Sequence, residues 1–270
     1  MRGLKLWRHL ILIAIIALVS LPFLWMVLAS FKEGAEIFRE PEGWLATGWK
    51  LSNYQRVWRE LPLARLYLNS LLVATVVTLS QLLTGSLAGY AFARLRFPGR
   101  DTIFYIYLGS LMVPHQVTLI PSFLILRWLR LLDTFGALIV PFLAGPFAAF
   151  MMRQAFLEVP QSLEDAARID GCSRFQVLFR VFLPLVRPSL VALAILIFLW
   201  QWNSLLWPLI MTQSPAMRTL PVGLASLKTE LGPDWPLLLA ANTLAALPML
   251  LLFLLAQRTF IRGLTHLEIE

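Results

Sequence analysis

Charged residues and cysteine are both scarce in this sequence of 270 residues. Only 14% of the residues are charged, against about 25% in a typical soluble domain, while 59% are hydrophobic and the mean hydropathy is +0.73. A water-soluble monomer could not bury so much apolar surface, so lipid must solvate part of it. The single cysteine, Cys172, excludes an intrachain disulfide and a cysteine-cluster metal site.

Other absences exclude whole classes of function. Within the long apolar segments His115 is the only ionisable residue, which disfavours an ion-coupled carrier, because such carriers hold the coupling ion on buried ionisable groups. None of the lysines follows a glycine, so the chain has no phosphate-binding loop of the form G-x-x-x-x-G-K-[ST]. The sequence offers no catalytic or metal-ligand constellation either, which disfavours a membrane enzyme.

Six apolar segments are long enough to cross a membrane as helices of about 20 residues. Backbone polar groups in lipid must be paired within the segment, so we expect an all-α integral membrane protein, with residues 1–270 forming a single transmembrane domain. The predicted spans are approximately 10–31, 66–93, 103–126, 135–152, 189–211 and 236–256.

The basic residues predict how these spans are oriented. Arg94, Arg96 and Arg100 crowd the short connection after the second span, and cytoplasmic loops carry an excess of such residues. This bias places both termini in the cytoplasm and explains the net charge of +8 by contact with membrane lipid, with no need for nucleic acid. The first span is long and lacks a small-x-small cleavage site, so we interpret it as an uncleaved anchor.

The predicted cytoplasmic loop 153–188 encodes two short helices with a sharp corner between them. Ser162 is expected to cap the first helix, with Asp165 returning a bond to the cap. Gly171 is a natural residue to end that helix with a positive φ. Ser173 and Gln176 predict a capping box that begins the second helix, and Pro184 and Pro188 limit it.

The first of these short helices has the features of a contact for a soluble partner. Ala166 and Ala167 are small, so another surface can approach the helix backbone closely. Acidic Glu164 and Asp165, together with Asp170, lie around them. A helix of about two turns is marginal by itself and needs packing to persist.

At this point the sequence resembles a known family. The loop is similar to the EAA motif of binding-protein-dependent ABC importers, which reads Glu-Ala-Ala, three residues, Gly, nine residues, Ile, one residue, Leu-Pro. The corresponding residues here have the same spacing, with aspartate in place of glutamate and valine in place of isoleucine. They are Asp165-Ala166-Ala167, Gly171, Val181 and Leu183-Pro184.

Further segments resemble the smaller permease subunit of carbohydrate importers of the maltose type. They are Tyr90–Arg94, Val113–Val117 and Trp202-Asn203 with Trp207-Pro208. The resemblance implies a type I importer fold in the bacterial inner membrane, with a second permease subunit, two ATP-binding-cassette ATPase subunits and an extracytoplasmic solute-binding protein as partners. ATP and Mg would be bound by the ATPases, and this chain would bind no cofactor and carry no catalytic residue.

The resemblance also assigns a role to the loop. ATPase coupling would fall to Ser162, Glu164, Asp165, Ala166, Ala167, Asp170, Gly171, Leu183 and Pro184.

A second set of residues is a candidate for the translocation path. Amide side chains beside aromatic rings suit a sugar, whose hydroxyls form hydrogen bonds while its C–H faces lie on rings. Polar side chains in lipid also hold helices together, and tryptophan near a helix end is a common interfacial anchor. The candidates are His115, Gln116, Gln201, Trp202 and Asn203.

Two alternatives to carbohydrate import stay open at this stage. Related permeases carry glycerol 3-phosphate or similar polyol phosphates, although a phosphate would favour an arginine near the path, and none lies within the predicted spans. The other alternative is a self-contained carrier or channel, which would transport solute without ATP or partners.

Overall fold

The computed structural model describes residues 2–34, 37, 49–229 and 232–265. Most of the described residues are helical, and the strands among them form an antiparallel ribbon of two residues on each side, β1 (Lys228–Thr229) and β2 (Gly232–Pro233). The α-helices are α1 (Arg2–Ala29), α2 (Ser52–Glu60), α3 (Leu63–Arg94), α4 (Arg100–Gly109), α5 (Leu119–Trp128), α6 (Phe135–Ile139), α7 (Pro146–Leu157), α8 (Gln161–Ile169), α9 (Arg174–Gln176), α10 (Leu183–Leu185), α11 (Arg187–Trp202), α12 (Leu206–Met211), α13 (Leu220–Ala225) and α14 (Trp235–Thr265).

Helices of spanning length coincide with three of the predicted spans. Among the described residues, His9–Ala29, Leu63–Arg94 and the run Phe135–Leu157 are long and apolar enough to cross a membrane. That run contains α6, a short 3-10 turn and α7. A fourth candidate is the bent pair Arg174–Leu185 and Arg187–Trp202, whose two parts meet at 82°. The all-α prediction is confirmed in these elements.

Two predicted spans are not continuous helices. The segment 103–126 is interrupted between the 3-10 turn Ser110–Met112 and α5, because Pro114 lacks a backbone N–H and holds Val113 extended, at ψ 114°. The segment 189–211 breaks after Trp202 and resumes at Leu206. There Pro208 lies in the first turn of α12, the only place where a helix tolerates it well.

The chain divides into two compact units. The first contains the described parts of 1–64 and 223–249. In it Asn53 donates two hydrogen bonds from α2 to the carbonyls of Ser30 and Lys32, at 2.9 and 3.1 Å. Arg56 forms an ion pair with Asp234 at 2.7 Å, and Asp234 accepts a hydrogen bond from the backbone N–H of Leu237 at the start of α14. These contacts fix the connection after α1 to the beginning of α14.

The second unit, 65–222 and 250–270, holds the larger core. Tyr90 of α3, Phe156 of α7 and Phe182 pack edge to face, with ring centroids 5.4–6.2 Å apart. Such pairs stabilise a core beyond their area of burial. The largest fully buried side chains around them include Met152, Leu178, Leu193 and Met211.

Helices α3 and α7 approach each other unusually closely. A Cβ atom added to Gly85 would lie 2.7 Å from the Ala148 Cβ, and one added to Gly89 would lie 2.7 Å from the Met152 Cβ and 2.8 Å from the next backbone nitrogen. The two glycines are four residues apart on one face of α3, an arrangement that permits close backbone contact between membrane helices. Neither position has room for a side chain.

We therefore expect Gly89→Ala to destabilise the protein by about 1–3 kcal/mol, because the added methyl group meets backbone as well as side-chain atoms. Gly109→Ala is the matched control, since Gly109 is also helical and a Cβ there meets nothing within 4 Å. It should be neutral or slightly stabilising. Thermal unfolding of the two purified variants measures the difference, and equal midpoints would contradict the close contact.

Asp133 links the turn before α6 to the turn after α12. Its backbone N–H donates to the carbonyl of Met211, and its Oδ1 accepts from the N–H groups of Gln213 and Ser214 and from the Ser214 hydroxyl, at 2.9–3.0 Å. The backbone donor of Gln213 contributes most to lowering the pKa of this carboxyl group, because each bond favours the charged form.

The lowered pKa predicts a pH dependence. In the unfolded chain an aspartate carboxyl has a pKa of about 3.9. The stabilisation by Asp133 is therefore fully present above that pH and disappears as the pH falls through the lower pKa of the folded state. Asp133→Asn should lower the midpoint of thermal unfolding at pH 7 by about 2–4 °C, the shift expected for about 1 kcal/mol. The difference in unfolding midpoint between wild type and variant should disappear in strong acid. A difference that stays constant with pH would contradict the stabilising role of the Asp133 carboxylate.

Candidate functional site

The first helix of the loop 153–188, α8, begins at Gln161. Ser162 therefore lies inside its first turn, and the prediction that Ser162 caps the helix is wrong. Pro160 occupies the cap position with an extended ψ of 136° and makes no side-chain cap bond. Asp165 instead accepts a hydrogen bond from the Gln161 amide at 3.3 Å, along the exposed face of the helix.

The other end of α8 confirms the role predicted for Gly171. Its φ is +81°, and the N–H groups of Gly171 and Cys172 donate to the carbonyls of Arg168 and Ala167, both at 3.0 Å. This is the Schellman arrangement, which ends a helix on a left-handed residue. A Cβ at Gly171 would meet nothing within 4 Å, so the backbone conformation alone favours glycine there.

The second helix of the loop also begins as predicted. Ser173 and Gln176 form the reciprocal capping box, with the Ser173 N–H donating to Gln176 Oε1 at 2.7 Å. The helix continues as a π-helical turn over Val177–Phe182 and ends at Leu185, before the 82° bend into α11. Half-buried Leu183 packs on the core and Pro184 is exposed.

Glu164 is buried, with 1% of its surface exposed. Its Oε1 accepts hydrogen bonds from the Arg168 guanidinium at 2.7 Å and from the Tyr90 hydroxyl at 3.3 Å. A carboxylate held in this way is a structural anchor, so Glu164 is not free to contact another protein. The exposed members of the predicted coupling set on this helix are Ser162, Asp165, Ala166 and Asp170, while Ala167 packs inward.

Arg94, at the end of α3, is outside the predicted coupling set but contacts α8 directly. Its guanidinium donates to Gln161 Oε1 at 2.8 Å and to the carbonyl of Phe156 at 2.5 Å, and also to the carbonyl of Val159. It lies 4.9 Å from the Phe182 ring centroid and 4.0 Å from Glu164 Oε2. In the sequence Arg94 stands with the arginines of the following connection, but its spacing of four residues from Tyr90 places both on one helix face.

Large apolar side chains surround the exposed part of the loop. Ile169 is 86% exposed and Phe175 is 68% exposed, on either side of the corner at Gly171, and Leu163 and Phe179 are also exposed. Apolar residues grouped on a surface that also holds Asp165 and Asp170 are typical of a protein contact. In the sequence these residues stand out as large apolar side chains within a polar loop.

The candidate path residues fall into two groups. His115, Gln116 and Gln201 line one cavity of about 220 Å³, although they come from separate breaks in the predicted spans. Other residues that line it are Leu119, Phe142, Trp200, Ser204, Leu205, Leu206 and Trp207.

The His115 ring in this cavity lies 5.6 Å from Phe142 and 5.2 Å from Trp207. The Trp207 indole donates to the buried carbonyl of Ala137 at 3.0 Å, which fixes its ring as one wall.

Trp202 and Asn203 do not line this cavity. Trp202 is buried and its ring stacks on that of Phe198. Its ring centroid lies 6.0 Å from that of Tyr67 on α3. The Asn203 amide donates to the carbonyl of Leu199 in its own helix at 2.9 Å. Trp202 thus serves in helix packing and Asn203 at a helix end, the kinds of role given above as alternatives to solute contact.

Removing the charge of Glu164 should loosen α8. We expect Glu164→Gln to reduce the free energy of unfolding by about 1–3 kcal/mol, because the buried guanidinium of Arg94 and the hydrogen bond from Arg168 lose their carboxylate. Asp165→Asn, on the exposed face one residue away, should change it by less than about 0.5 kcal/mol. Thermal unfolding with limited proteolysis at 160–171 measures both effects, and equal behaviour of the two variants would contradict the anchor role.

Three proteins with similar sequences are all permease proteins of transport systems. The sequence is 38% identical over 263 residues to the arabinooligosaccharides transport system permease protein AraQ of Halalkalibacterium halodurans, covering 96% of this chain and 94% of that one. It is 34% identical to the lactose transport system permease protein LacG of Rhizobium radiobacter, covering 90% and 88%. It is 30% identical to the sn-glycerol-3-phosphate transport system permease protein UgpE of Yersinia pestis, covering 99% and 98%.

The fold has a solved counterpart as well. A chain of a bacterial ABC transporter involved in the import of the acidic polysaccharide alginate superposes with a TM-score of 0.83 at 22% identity, over 96% of this chain and 97% of that one. The family profile of binding-protein-dependent transport system inner membrane components matches residues 81–266, which include the loop 153–188 and the cavity at His115. The chain belongs to this family of inner membrane components of binding-protein-dependent transport systems.

Proposed function

We propose that this chain is the transmembrane permease subunit of an ATP-binding-cassette importer that carries a carbohydrate across the bacterial inner membrane by alternating access. The observation that supports this most strongly is the geometry of α8. This short helix is fixed at its corner by Gly171 and on its inner face by Glu164 and Arg94, while Asp165 and Ala166 remain exposed.

In this proposal the exposed face of α8 fits into a cleft on an ATPase subunit. Residues Ile169 and Phe175 supply apolar contact, and Asp165 and Asp170 supply polar contact at the edge. Because Arg94 binds α8 to the end of α3, a displacement of α8 would be transmitted into a helix of 32 residues. The movement would turn the permease between its inward-facing and outward-facing states.

The proposal assigns the remaining chemistry to partners. Two ATPase subunits bind ATP and Mg and hydrolyse the ATP, so this chain binds no cofactor and is not itself an enzyme. A second permease subunit completes the path, and an extracytoplasmic protein delivers the solute. Six spans place both termini in the cytoplasm, with 103–126 and 189–211 crossing as broken helices. The solved alginate transporter that this fold resembles was crystallised with an alginate pentasaccharide-bound periplasmic protein.

The cavity at His115 supports a neutral sugar as the solute. Its polar groups are the amides of Gln116 and Gln201, the hydroxyl of Ser204 and the imidazole of His115, and its walls include the rings of Phe142 and Trp207. Among the described residues that line it there is no Asp, Glu, Lys or Arg. This composition suits sugar hydroxyls and C–H faces.

A polyol phosphate such as glycerol 3-phosphate is the second candidate solute, because the UgpE protein named for it is 30% identical over almost the whole chain. A phosphate would be bound best by arginine, which this chain does not offer in the cavity. The second permease subunit would then have to supply that charge.

The test is ATPase activity of the reconstituted transporter, stimulated by its solute-loaded binding protein. Gly171→Val should reduce the stimulated rate about tenfold or more, because a β-branched residue with positive φ is strained by about 1–3 kcal/mol. Gly171→Asn is the matched control and should keep most of the rate, since asparagine tolerates this conformation. Both variants must first be shown to insert and assemble as wild type does.

Three results would count against the proposal. An unchanged rate for a correctly assembled Gly171→Val transporter would remove α8 as the mechanical link. Stimulation by glycerol 3-phosphate, with none by neutral oligosaccharides, would establish the second candidate. Solute uptake by vesicles that contain this chain alone, without ATP, would make it a self-contained carrier or channel.

A further inference from the structure

An apolar groove lies on the second unit, outside the coupling loop and the candidate path. It has a volume of about 450 Å³ and is lined by α3, α4 and the start of α7, including Thr84, Ala88, Phe92, Ile103 and Ile106. The Thr84 hydroxyl already donates to the carbonyls of Ser80 and Leu143. Tyr107 carries the other side-chain hydroxyl of the lining, and the remaining lining residues are alanine, glycine, phenylalanine and isoleucine. The groove therefore offers a ligand almost only apolar contact.

A polar cavity of about 450 Å³ adjoins one end of the groove. It is lined by Arg96, Phe97, Gly99, Arg100, Asp101 and Thr102. The two cavities are neighbours, because the Phe97 ring contacts the Phe92 ring at 6.1 Å and Thr102 directly precedes Ile103. The two together form an apolar groove with a polar mouth.

The charge of this mouth is positive. Arg100 forms a two-point ion pair with Asp101, at 3.0 and 3.2 Å, and the Arg153 guanidinium lies 3.9 Å from the same carboxylate. Arg96 is exposed beside them. Three arginines and one aspartate leave a net charge of about +2, which suits an anion that accepts hydrogen bonds from arginine.

The length of the groove matches one leaflet of a bilayer. Thr84 and Phe92 are eight residues apart on α3, which is about 12 Å along a helix. Half of the hydrocarbon core of a membrane is about 15 Å thick. One turn of a helix with its side chains would occupy about 500 Å³, so the groove has the volume of a single helical turn. A flexible chain therefore fits it better than a transmembrane helix does.

We propose that this groove binds one anionic phospholipid of the cytoplasmic leaflet, with its phosphate group at Arg96 and Arg100 and an acyl chain along Ala88 and Phe92. The leaflet follows from the orientation given under the proposed function, on which this inference rests. A lipid in this groove would contact α3 close to its end at Arg94. Basic pockets between membrane helices on the cytoplasmic side are typical sites for anionic headgroups.

The test uses the purified transporter complex in detergent, titrated with phosphatidylglycerol or phosphatidylcholine and measured by native mass spectrometry. Arg96→Gln and Arg100→Gln should each weaken phosphatidylglycerol binding about fivefold, the effect of one basic residue near an anionic headgroup. Phosphatidylcholine binding should change little. Arg187→Gln is the matched charge control, since Arg187 is exposed at the start of α11 and does not line the mouth.

A second pair of variants tests the groove itself. Ala88→Phe fills it and should weaken the binding of both lipids, whereas Leu87→Phe, on the neighbouring exposed position of α3, should not. Since binding is measured without ATP or solute, a transporter that fails to transport can still give this result.

Two outcomes would overturn the proposal. Equal phosphatidylglycerol binding by wild type, the arginine variants and Ala88→Phe would mean that the arginines serve only to orient the helices. The other outcome is that wild type binds no lipid, while the Ala88→Cys variant in a Cys172→Ser background, labelled with a photoactivatable thiol reagent, crosslinks to the second permease. A helix of that subunit would then occupy the groove.

Discussion

The close contact between α3 and α7 is the constraint on which the rest of the second unit depends. Gly85 and Gly89 remove the side chains that would otherwise separate the two backbones. The residue after Gly89, Tyr90, lies against the Phe156 ring, and about one turn later Arg94 lies within reach of the carbonyl of Phe156. The anchor of α8 is therefore a consequence of helix packing inside the predicted membrane region.

This anchor explains how a helix of nine residues can persist. A helix so short gains little from its own hydrogen bonds, and α8 is held instead by Glu164, Arg94 and the turn at Gly171. Burying a carboxylate and a guanidinium costs desolvation, and their mutual attraction and hydrogen bonds counter that cost in part. Separating α8 from α3 would leave these buried groups without their partners.

Interruptions of helices create the cavity at His115, the second candidate site. A non-helical backbone at membrane depth is tolerated where it lines a cavity or is buried in protein. The break at Pro114 presents His115 and Gln116, and the break before Pro208 presents Gln201 and its neighbours. The same two prolines that prevent continuous spans thus leave polar side chains facing the cavity.

The sequence by itself determined the helical membrane class, the family and the corner of the loop between its two short helices, although not the cap of the first of them. The positive φ of Gly171 and the capping box at Ser173 were predictable because they depend on neighbouring residues alone. Tertiary structure decided which charges are buried. Glu164 and Asp165 are adjacent and both acidic, yet one is enclosed and the other exposed, because only Glu164 faces the end of α3. Only the packing of separate helices could decide that Arg94 binds α8.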